Sequence, residues 1–209
     1  MLDVRKIRLT LELRESGISN SSVLSAIEKI PREIFIPANF RNQAYENIAL
    51  PIGKDQTISQ PYIVALMTQS LDINKNHKIL ELGTGSGYQT SVLSLLSRRV
   101  YTIERIKSLL VNAENNFKKL KLTNIVTKHG DGNLGWIEQI PFDRIIFTAA
   151  TKSIPRHLFD HIKDQGIIIA PIINGSKQVL KKFIKTNKKI IEEYLSDVLF
   201  VPNLKGIKD

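Results

Sequence analysis

A glycine-rich motif, E-L-G-T-G-S-G over Glu81–Gly87, is the strongest chemical signal in this 209-residue sequence. Gly83, Gly85 and Gly87 allow the backbone to approach a ligand closely and to present amide groups to it. The spacing is G-x-G-x-G, whereas dinucleotide sites use G-x-G-x-x-G and cradle a pyrophosphate. Because Glu81 precedes the first glycine by two positions, the motif favours a ligand with a cationic centre and a small carboxylate.

Two further acidic residues follow the next two predicted strands. Glu104 ends the segment Val100–Glu104, where its carboxylate can accept hydrogen bonds from ribose hydroxyls. Asp131 and Gly132 lie in H-G-D-G (His129–Gly132), where the aspartate can accept a hydrogen bond from an adenine amino group. Together with the glycine motif, these residues predict an adenosine pocket. We interpret the cofactor as S-adenosylmethionine, with S-adenosylhomocysteine as its product, and not as NAD.

The elements that carry these residues alternate between strand and helix after position 74. Strands are predicted over Lys78–Leu82, Val100–Glu104, Ile125–His129, Phe142–Thr148 and Gly166–Ile172, and helices over Tyr88–Ser97, Ser108–Leu120 and Ile154–Ile162. This alternation indicates an α/β fold with a doubly wound, mostly parallel sheet. Only four residues separate Ile173 from Gln178, too few for a parallel crossover, so the sixth strand is expected to be antiparallel. A seventh strand over about 190–200 completes the sheet.

The first 74 residues show a different pattern. Helices are predicted from about Val4 to Gly17, over Ser22–Lys29 and from Pro61 to about Leu71, with irregular chain between the last two. We therefore expect an N-terminal helical, substrate-binding lobe (1–74) packed on a cofactor-binding core (75–209), the two forming one structural unit.

Composition excludes several kinds of chemistry. The sequence has no cysteine, which rules out disulfides, thiolate zinc sites and thiolate nucleophiles, and its four histidines show no metal-binding spacing. The net charge of +10, concentrated partly in K-K-F-I-K-T-N-K-K (Lys181–Lys189), is compatible with nucleic acid but is also typical of a solvated basic surface. The longest apolar run, Ile167–Ile173, is far shorter than the ~20 residues of a membrane span. Without a signal-peptide pattern at the N-terminus, a cytoplasmic protein with no membrane association is expected.

Several segments resemble the motifs of protein-L-isoaspartate O-methyltransferases. They are Pro31–Pro37 (PREIFIP), Ala44–Asn47 (AYEN), Leu50–Gly53 (LPIG), Gln56–Pro61 (QTISQP), Leu80–Gln89 (LELGTGSGYQ), Val100–Arg105 (VYTIER), His129–Gly132 (HGDG), Pro141–Ala150 (PFDRIIFTAA) and Phe200–Pro202 (FVP). The glycine motif alone would indicate only a class I methyltransferase, and QTISQP is the family-specific part. Lys54–Asp55, where the family often has a glycine, and Asp160–Gly166 depart from the family pattern.

The resemblance implies a Rossmann-like methyltransferase fold and a defined reaction. A methyl group passes from S-adenosylmethionine to the α-carboxylate of L-isoaspartyl residues in damaged proteins and peptides, which initiates their repair. Ser59 matches the active-site serine, whose hydroxyl would orient the carboxylate without acting as a covalent nucleophile; capping of the helix that begins near Pro61 is its alternative role. Main-chain contacts to cofactor or substrate are implied at Thr57, Ile58 and Gln60, and a cofactor contact at Arg105. A monomer without a specific nucleic-acid partner is expected.

The main alternative is an S-adenosylmethionine-dependent RNA methyltransferase, which the net charge suggests. Methylation of cytosine C5 commonly requires a cysteine nucleophile, which is absent. Methylation of the adenine amino group commonly uses N-P-P-Y or D-P-P-Y after the fourth strand, where this chain reads F-T-A-A (Phe147–Ala150). A non-catalytic module that retains the cofactor fold is the other alternative.

Overall fold

A sheet of seven strands forms the centre of the chain in a computed structural model that describes residues 4–209. Its strands are β3 (Lys78–Leu82), β4 (Arg99–Glu104), β5 (Ile125–His129), β6 (Phe142–Phe147), β7 (Ile162–Asn174), β8 (Lys177–Lys185) and β9 (Ile190–Val198). Across the sheet they are arranged in the order β5-β4-β3-β6-β7-β8-β9. Two shorter strands, β1 (Leu50–Gly53) and β2 (Gln56–Ile58), pair separately as an antiparallel hairpin.

The helices flank the sheet and form most of the N-terminal lobe. They are α1 (Val4–Glu15), α2 (Ser21–Lys29), α3 (Pro61–Ser70), α4 (Tyr88–Leu96) and α5 (Lys107–Lys119). Short 3-10 turns occur at Arg32–Phe35, Ala38–Gln43, Gly132–Leu134, Ile137–Gln139 and Arg156–Phe159. The predicted α/β class and the mostly parallel seven-stranded sheet are confirmed.

Strands β3 to β7 are parallel, and their apolar sequences follow from burial on both faces. Ile145, Ile146 and Phe147 of β6, for example, are all completely buried. The chain adds β4 and β5 on one side of β3 and then crosses to add β6 and β7 on the other. Ligands of such sheets bind in the crevice where the strand order reverses, beyond the carboxyl ends of the strands.

The link after β7 is a hairpin, as the short loop predicts. Asn174 pairs with Lys177 across a turn in which Gly175 has a φ of +62°. Strand β8 is therefore antiparallel to β7, and β9 is antiparallel to β8.

The predicted helix over Ile154–Ile162 is wrong. This region forms only the 3-10 turn Arg156–Phe159, and Ile162 already begins β7. Pro155 has no amide hydrogen and disfavours helical backbone at the residue before it. Thr151 is tied by backbone hydrogen bonds to Pro171 and Ile173, which keeps the preceding chain extended.

The N-terminal lobe shares a hydrophobic core with helix α4. Apolar side chains of α1, α2, the hairpin and α3 pack in one cluster with Tyr88, Val92 and Leu96 of α4. Asn20 caps α2 through hydrogen bonds from the amides of Ser22 and Val23. The lobe is thereby packed against the helix that directly follows the glycine motif.

Three of the five lysines in the basic segment Lys181–Lys189 have partners within the chain. Lys181 and Lys182 of β8 form ion pairs with Glu192 and Glu193 of β9, at 3.0 and 3.2 Å. The ammonium group of Lys185 donates to backbone carbonyls. Over residues 4–209, no helix combines the length and hydrophobicity that a membrane span needs.

Candidate active site

A cavity opens where β3, β4 and β6 end, at the point where the strand order reverses. The space between its walls amounts to about 870 Å³, part of which is open solvent. Of the predicted site residues, Thr57, Ile58, Ser59, Gly83, Gly85, Glu104, Arg105 and Gly132 line it. The catalytic and cofactor-binding motifs therefore converge on one cavity, although they are separated by up to 75 positions in the sequence.

The glycine loop (Gly83–Gly87) joins β3 directly to α4. Gly83 has a φ of +105°, and a Cβ atom there would lie 2.3 Å from the Thr148 hydroxyl oxygen. Gly87 begins α4 at a φ of +89°, and a Cβ atom would lie 2.6 Å from the Phe117 ring. Gly87 is not among the residues that line the cavity, and the missing side chain lets the start of α4 pack against Phe117 and Ala113 of α5.

Glu104 holds the glycine loop from the neighbouring strand. One carboxylate oxygen accepts from the Gly85 amide at 2.8 Å and the other from the Ile106 amide at 2.9 Å. Its orientation is fixed while each oxygen keeps capacity for a second hydrogen bond. This arrangement suits the predicted acceptance of ribose hydroxyls.

Glu81 does not line the cavity, contrary to the prediction that it faces the cofactor. Its side chain is fully buried below the glycine loop, where one oxygen accepts from the hydroxyls of Thr90 and Thr102. Thr102 in turn lies 2.6 Å from the hydroxyl of Thr84. Burial, reinforced by the nearby charge of Glu104, raises the pKa of Glu81 to about 8. Glu81 is thus protonated at neutral pH and supports the loop from beneath.

Asp131 lies beside the cavity and its carboxylate binds the C-terminal segment. Its oxygens accept from the amides of Asn133 and Gly206, at 2.8 and 2.7 Å. Partial burial alone would raise the pKa of Asp131, but these hydrogen bonds lower it below its ordinary value. Arg105 binds the same segment, donating to the carbonyl of Gly206 at 3.1 Å. Gly132 lines the cavity, but Asp131 does not. The contact of Asp131 with adenine is therefore a proposal.

Ser59 lies at the mouth of the cavity, directly after β2. Helix α3 begins at Pro61 with Gln60 as its N-cap residue, whose own side chain makes no capping hydrogen bond. The amide of Tyr62 in the first turn donates instead to Asn47 Oδ1 at 2.9 Å. Ser59, for which capping of this helix was the alternative role, is therefore not its N-cap residue. Gln60 lies outside this cavity but lines a second one, which shares Thr57 and Ser59 with the first.

Sequence reasoning missed part of the cavity wall. The residues not predicted include Val64 and Met67 of α3, Thr148 and Ala149 after β6, and the C-terminal stretch 201–204. Thr148 donates to the carbonyl of Leu82 at 3.0 Å, which fixes the end of β6 to the start of the glycine loop. Thr148 and Val201 belong to segments that resemble family motifs. The spacing of those segments did not indicate that they form part of the cavity wall.

The cavity has the features that an adenosine-containing sulfonium cofactor requires. A glycine loop approaches without side chains, Glu104 offers an oriented carboxylate, and Leu82, Ile103 and Leu204 provide apolar surface. Among residues 4–209, no group of acidic or histidine side chains could hold a metal ion.

Comparison with known proteins gives one consistent family. The profile of "Protein-L-isoaspartate(D-aspartate) O-methyltransferase (PCMT)" matches residues 4–208. Protein-L-isoaspartate O-methyltransferases of Maricaulis maris and Paramagnetospirillum magneticum are 49% and 50% identical, covering 98% of this chain in each case and 96% and 97% of theirs. A beta-aspartate methyltransferase of Plasmodium falciparum, solved with S-adenosyl-L-homocysteine, superposes with a TM-score of 0.83 at 27% identity, over 95% of this chain and 97% of that one.

We expect Gly83→Ala to lower the affinity for S-adenosylhomocysteine at least tenfold, measured by isothermal titration. The new methyl group would strain a φ of +105° and collide with Thr148, so the loop must move toward the cavity. Gly175→Ala is the matched control, because it also has a positive φ but no atom within 4 Å and lies in the β7–β8 turn. Unchanged affinity in Gly83→Ala, with both variants folded, would contradict the assigned role of the loop.

We expect Glu81→Gln to bind S-adenosylhomocysteine within threefold of the wild type and to change the pH dependence of stability. The folded state keeps the Glu81 proton up to a pKa of about 8, whereas the unfolded chain loses it near 4.5. Unfolding therefore releases a proton between these values, and wild-type stability falls as pH rises. The melting temperature of Glu81→Gln, followed from pH 5 to 8, should fall less than that of the wild type. Parallel curves would show that Glu81 is ionised in the fold.

Proposed function

This chain belongs to the protein-L-isoaspartate(D-aspartate) O-methyltransferase family, and we propose that Ser59 and the residues around it orient an L-isoaspartyl carboxylate for methylation. The chain is an S-adenosylmethionine-dependent methyltransferase that acts on isoaspartyl residues of damaged proteins and peptides. The observation that supports the residue assignment is the meeting of Ser59 with the glycine loop and Glu104 in one cavity. We further propose that it acts as a monomer in the cytoplasm.

The cofactor side of the proposed site is built from the sheet. S-adenosylmethionine supplies a methyl group bound to a positively charged sulfur, which a carboxylate oxygen can attack. Backbone amides of the glycine loop and the carboxylate of Glu104 would hold its amino-acid and ribose parts, and Arg105 and Asp131 would close the adenine end. Thr57 and Ile58 would contribute through their main chain. Every one of these groups is already held by hydrogen bonds or strand pairing.

The acceptor side of the proposed site is the second cavity. It is lined by Ser59, Gln60, Thr57 and Thr148 together with residues 197–201, and its wall includes the apolar side chains of Ile63 and Phe200. A groove that mixes backbone and apolar surface suits an extended peptide of varied sequence. Because both cavities share Ser59, a carboxylate held by its hydroxyl would face the cofactor cavity.

Methyl transfer to a carboxylate depends more on the orientation of the reacting groups than on acid–base catalysis. An α-carboxylate has a pKa of about 3.5 and is ionised at neutral pH, so no general base is needed. Holding the reacting atoms ~3–3.5 Å apart and in line can supply several kcal/mol of the barrier. An anion that attacks a sulfonium loses its charge in the reaction, so exclusion of water also favours the step. A hydroxyl such as that of Ser59 can direct one carboxylate oxygen without taking part in bond formation.

Methylation of RNA is not favoured by the site. Where the motif for methylation of the adenine amino group has an asparagine or aspartate and a tyrosine, this chain has Phe147 and Ala150, which offer neither a polar acceptor nor an aromatic surface. Of the five lysines in the basic segment Lys181–Lys189, Lys181 and Lys182 pair with glutamates and Lys185 binds a backbone carbonyl within the chain.

Substrate choice can be tested by offering radiolabelled S-adenosylmethionine with three acceptors. We expect label in an isoaspartyl peptide, in a form that releases methanol in alkali, and none in the same peptide with normal aspartate or in tRNA. The aspartyl isomer is the matched control, since it differs only in the position of the backbone bond. Label in tRNA, or equal label in both peptides, would contradict the proposal.

We expect Ser59→Ala to lower turnover of the isoaspartyl peptide at least tenfold while affinity for S-adenosylhomocysteine stays within threefold. The variant removes only the hydroxyl that would orient the carboxylate, and the α3 cap does not depend on it. Turnover is measured at saturating donor and affinity by titration. Undiminished turnover would remove Ser59 from the mechanism while leaving the enzyme class intact.

A further inference from the structure

Arg32 is a buried cation beside the proposed catalytic segment. Its side chain is 0% exposed and lies in the 3-10 turn Arg32–Phe35 of the N-terminal lobe. Burial lowers the pKa of Arg32 to about 10, which still leaves the guanidinium charged at neutral pH. Among residues 4–209, no carboxylate forms an ion pair with it. A charge buried without a counter-ion is costly, so its contacts call for an explanation.

The guanidinium binds both ends of the β1–β2 hairpin. One terminal nitrogen donates to the carbonyl of Ser59 at 2.9 Å, and the other donates to the carbonyl of Ile48 at 3.1 Å. Ile48 lies two residues before β1, and Ser59 directly follows β2. A rigid planar fork with donors in fixed directions can join two carbonyls in this way.

The hairpin is weakly held by its own strands. Strand β1 has four residues and β2 has three, and the pairing shifts register between Pro51 and Gly53. Pro51 also lacks an amide hydrogen for the ladder. Isolated two-stranded hairpins are marginal in water, so the position of Ser59 depends on contacts outside the hairpin.

Arg32 also contacts the cofactor side of the site. Its guanidinium carbon lies 5.1 Å from the centre of the Tyr88 ring, within the range of cation–π contact. Tyr88 is the first residue of α4, follows the glycine loop directly and lines the cofactor cavity. One side chain thus touches both the segment that carries Ser59 and the helix that begins at the cofactor loop.

From these contacts we infer that Arg32 is a positioning residue for methyl transfer, which holds Ser59 at a fixed place relative to the cofactor loop. The inference rests on the proposed role of Ser59. Lysine cannot replace Arg32, because an ammonium group is a compact charge without the planar fork that reaches two carbonyls. The guanidinium does not line the cavity, so its effect on the substrate is exerted through the hairpin.

The test is a double-mutant cycle of Arg32→Lys and Ser59→Ala in the full chain, measured as kcat/KM for the isoaspartyl peptide. If Arg32 acts through Ser59, Arg32→Lys lowers kcat/KM at least tenfold in the wild type but less than threefold in the Ser59→Ala background. The loss should lie in turnover and in the KM of the peptide, with the affinity for S-adenosylhomocysteine within threefold. A merely structural residue would give the same factor in both backgrounds.

Arg144→Lys is the matched control. Arg144 is also a buried arginine that donates to backbone carbonyls, those of Leu71 and Asp72 at the end of α3, and it does not line either cavity. Arg144→Lys should lower the melting temperature, as Arg32→Lys should. Its kcat/KM, measured well below that temperature, should stay within twofold of the wild type.

The outcomes separate the two claims. Equal factors for Arg32→Lys in both backgrounds, or no effect in the wild type, would overturn the inference and leave the role of Ser59 standing. Full activity of Ser59→Ala would instead overturn the role of Ser59. This activity is measured on the single variant, without any change at Arg32. If Arg32→Lys does not fold, the same cycle with Arg32→Gln, which is shorter and uncharged and so buries no charge, decides the question by the same factors.

Discussion

The tight turn from β3 into α4 is the constraint on which the site depends. The glycine loop has to turn with positive φ where there is no room for side chains, and its backbone is then bound from both neighbouring strands. Glu104 binds it from the end of β4 and Thr148 from the end of β6. The floor of the cavity is therefore fixed by three adjacent strands of a buried sheet, which gives the cofactor side its rigidity without a metal or a disulfide.

Two glutamates near this loop have opposite roles because their surroundings differ. Glu81 is enclosed by the sheet and receives hydroxyl donors only, so burial favours its protonated form. Glu104 reaches the cavity, and two backbone amides donate to its carboxylate oxygens. After burial, the proximity of Glu104 further raises the pKa of Glu81. One glutamate therefore supports the loop from beneath, and the other offers its carboxylate to the cavity.

Local patterns predicted the elements and the motifs, but not the direction in which buried polar residues point. The alternation of strands and helices and the short Asn174–Lys177 hairpin follow from spacing alone. Glu81 lies in a strand covered on both faces, where no period of two marks the side that meets a ligand. The false helix over Ile154–Ile162 and the wall formed by residues 201–204 depend on contacts between distant segments. Such contacts leave no local signal in one sequence.

The acceptor side of the site is built on a different physical basis from the cofactor side. Ser59 directly follows a short hairpin of the N-terminal lobe, and the carbonyls at positions 48 and 59 accept hydrogen bonds from the buried guanidinium of Arg32. An apolar residue at position 32 would remove both hydrogen bonds, at about 1.5–3 kcal/mol each for a charged donor, whereas a lysine could replace them only in part. Arginine supplies two donors and keeps its charge when buried, and the Tyr88 ring offsets part of its lost hydration. The two carbonyls thus account for both terminal nitrogens of the buried cation, whereas its Nε has no hydrogen-bond partner. On the proposed role of Arg32, these contacts give the lobe a fixed orientation for a serine that its own strands would hold poorly.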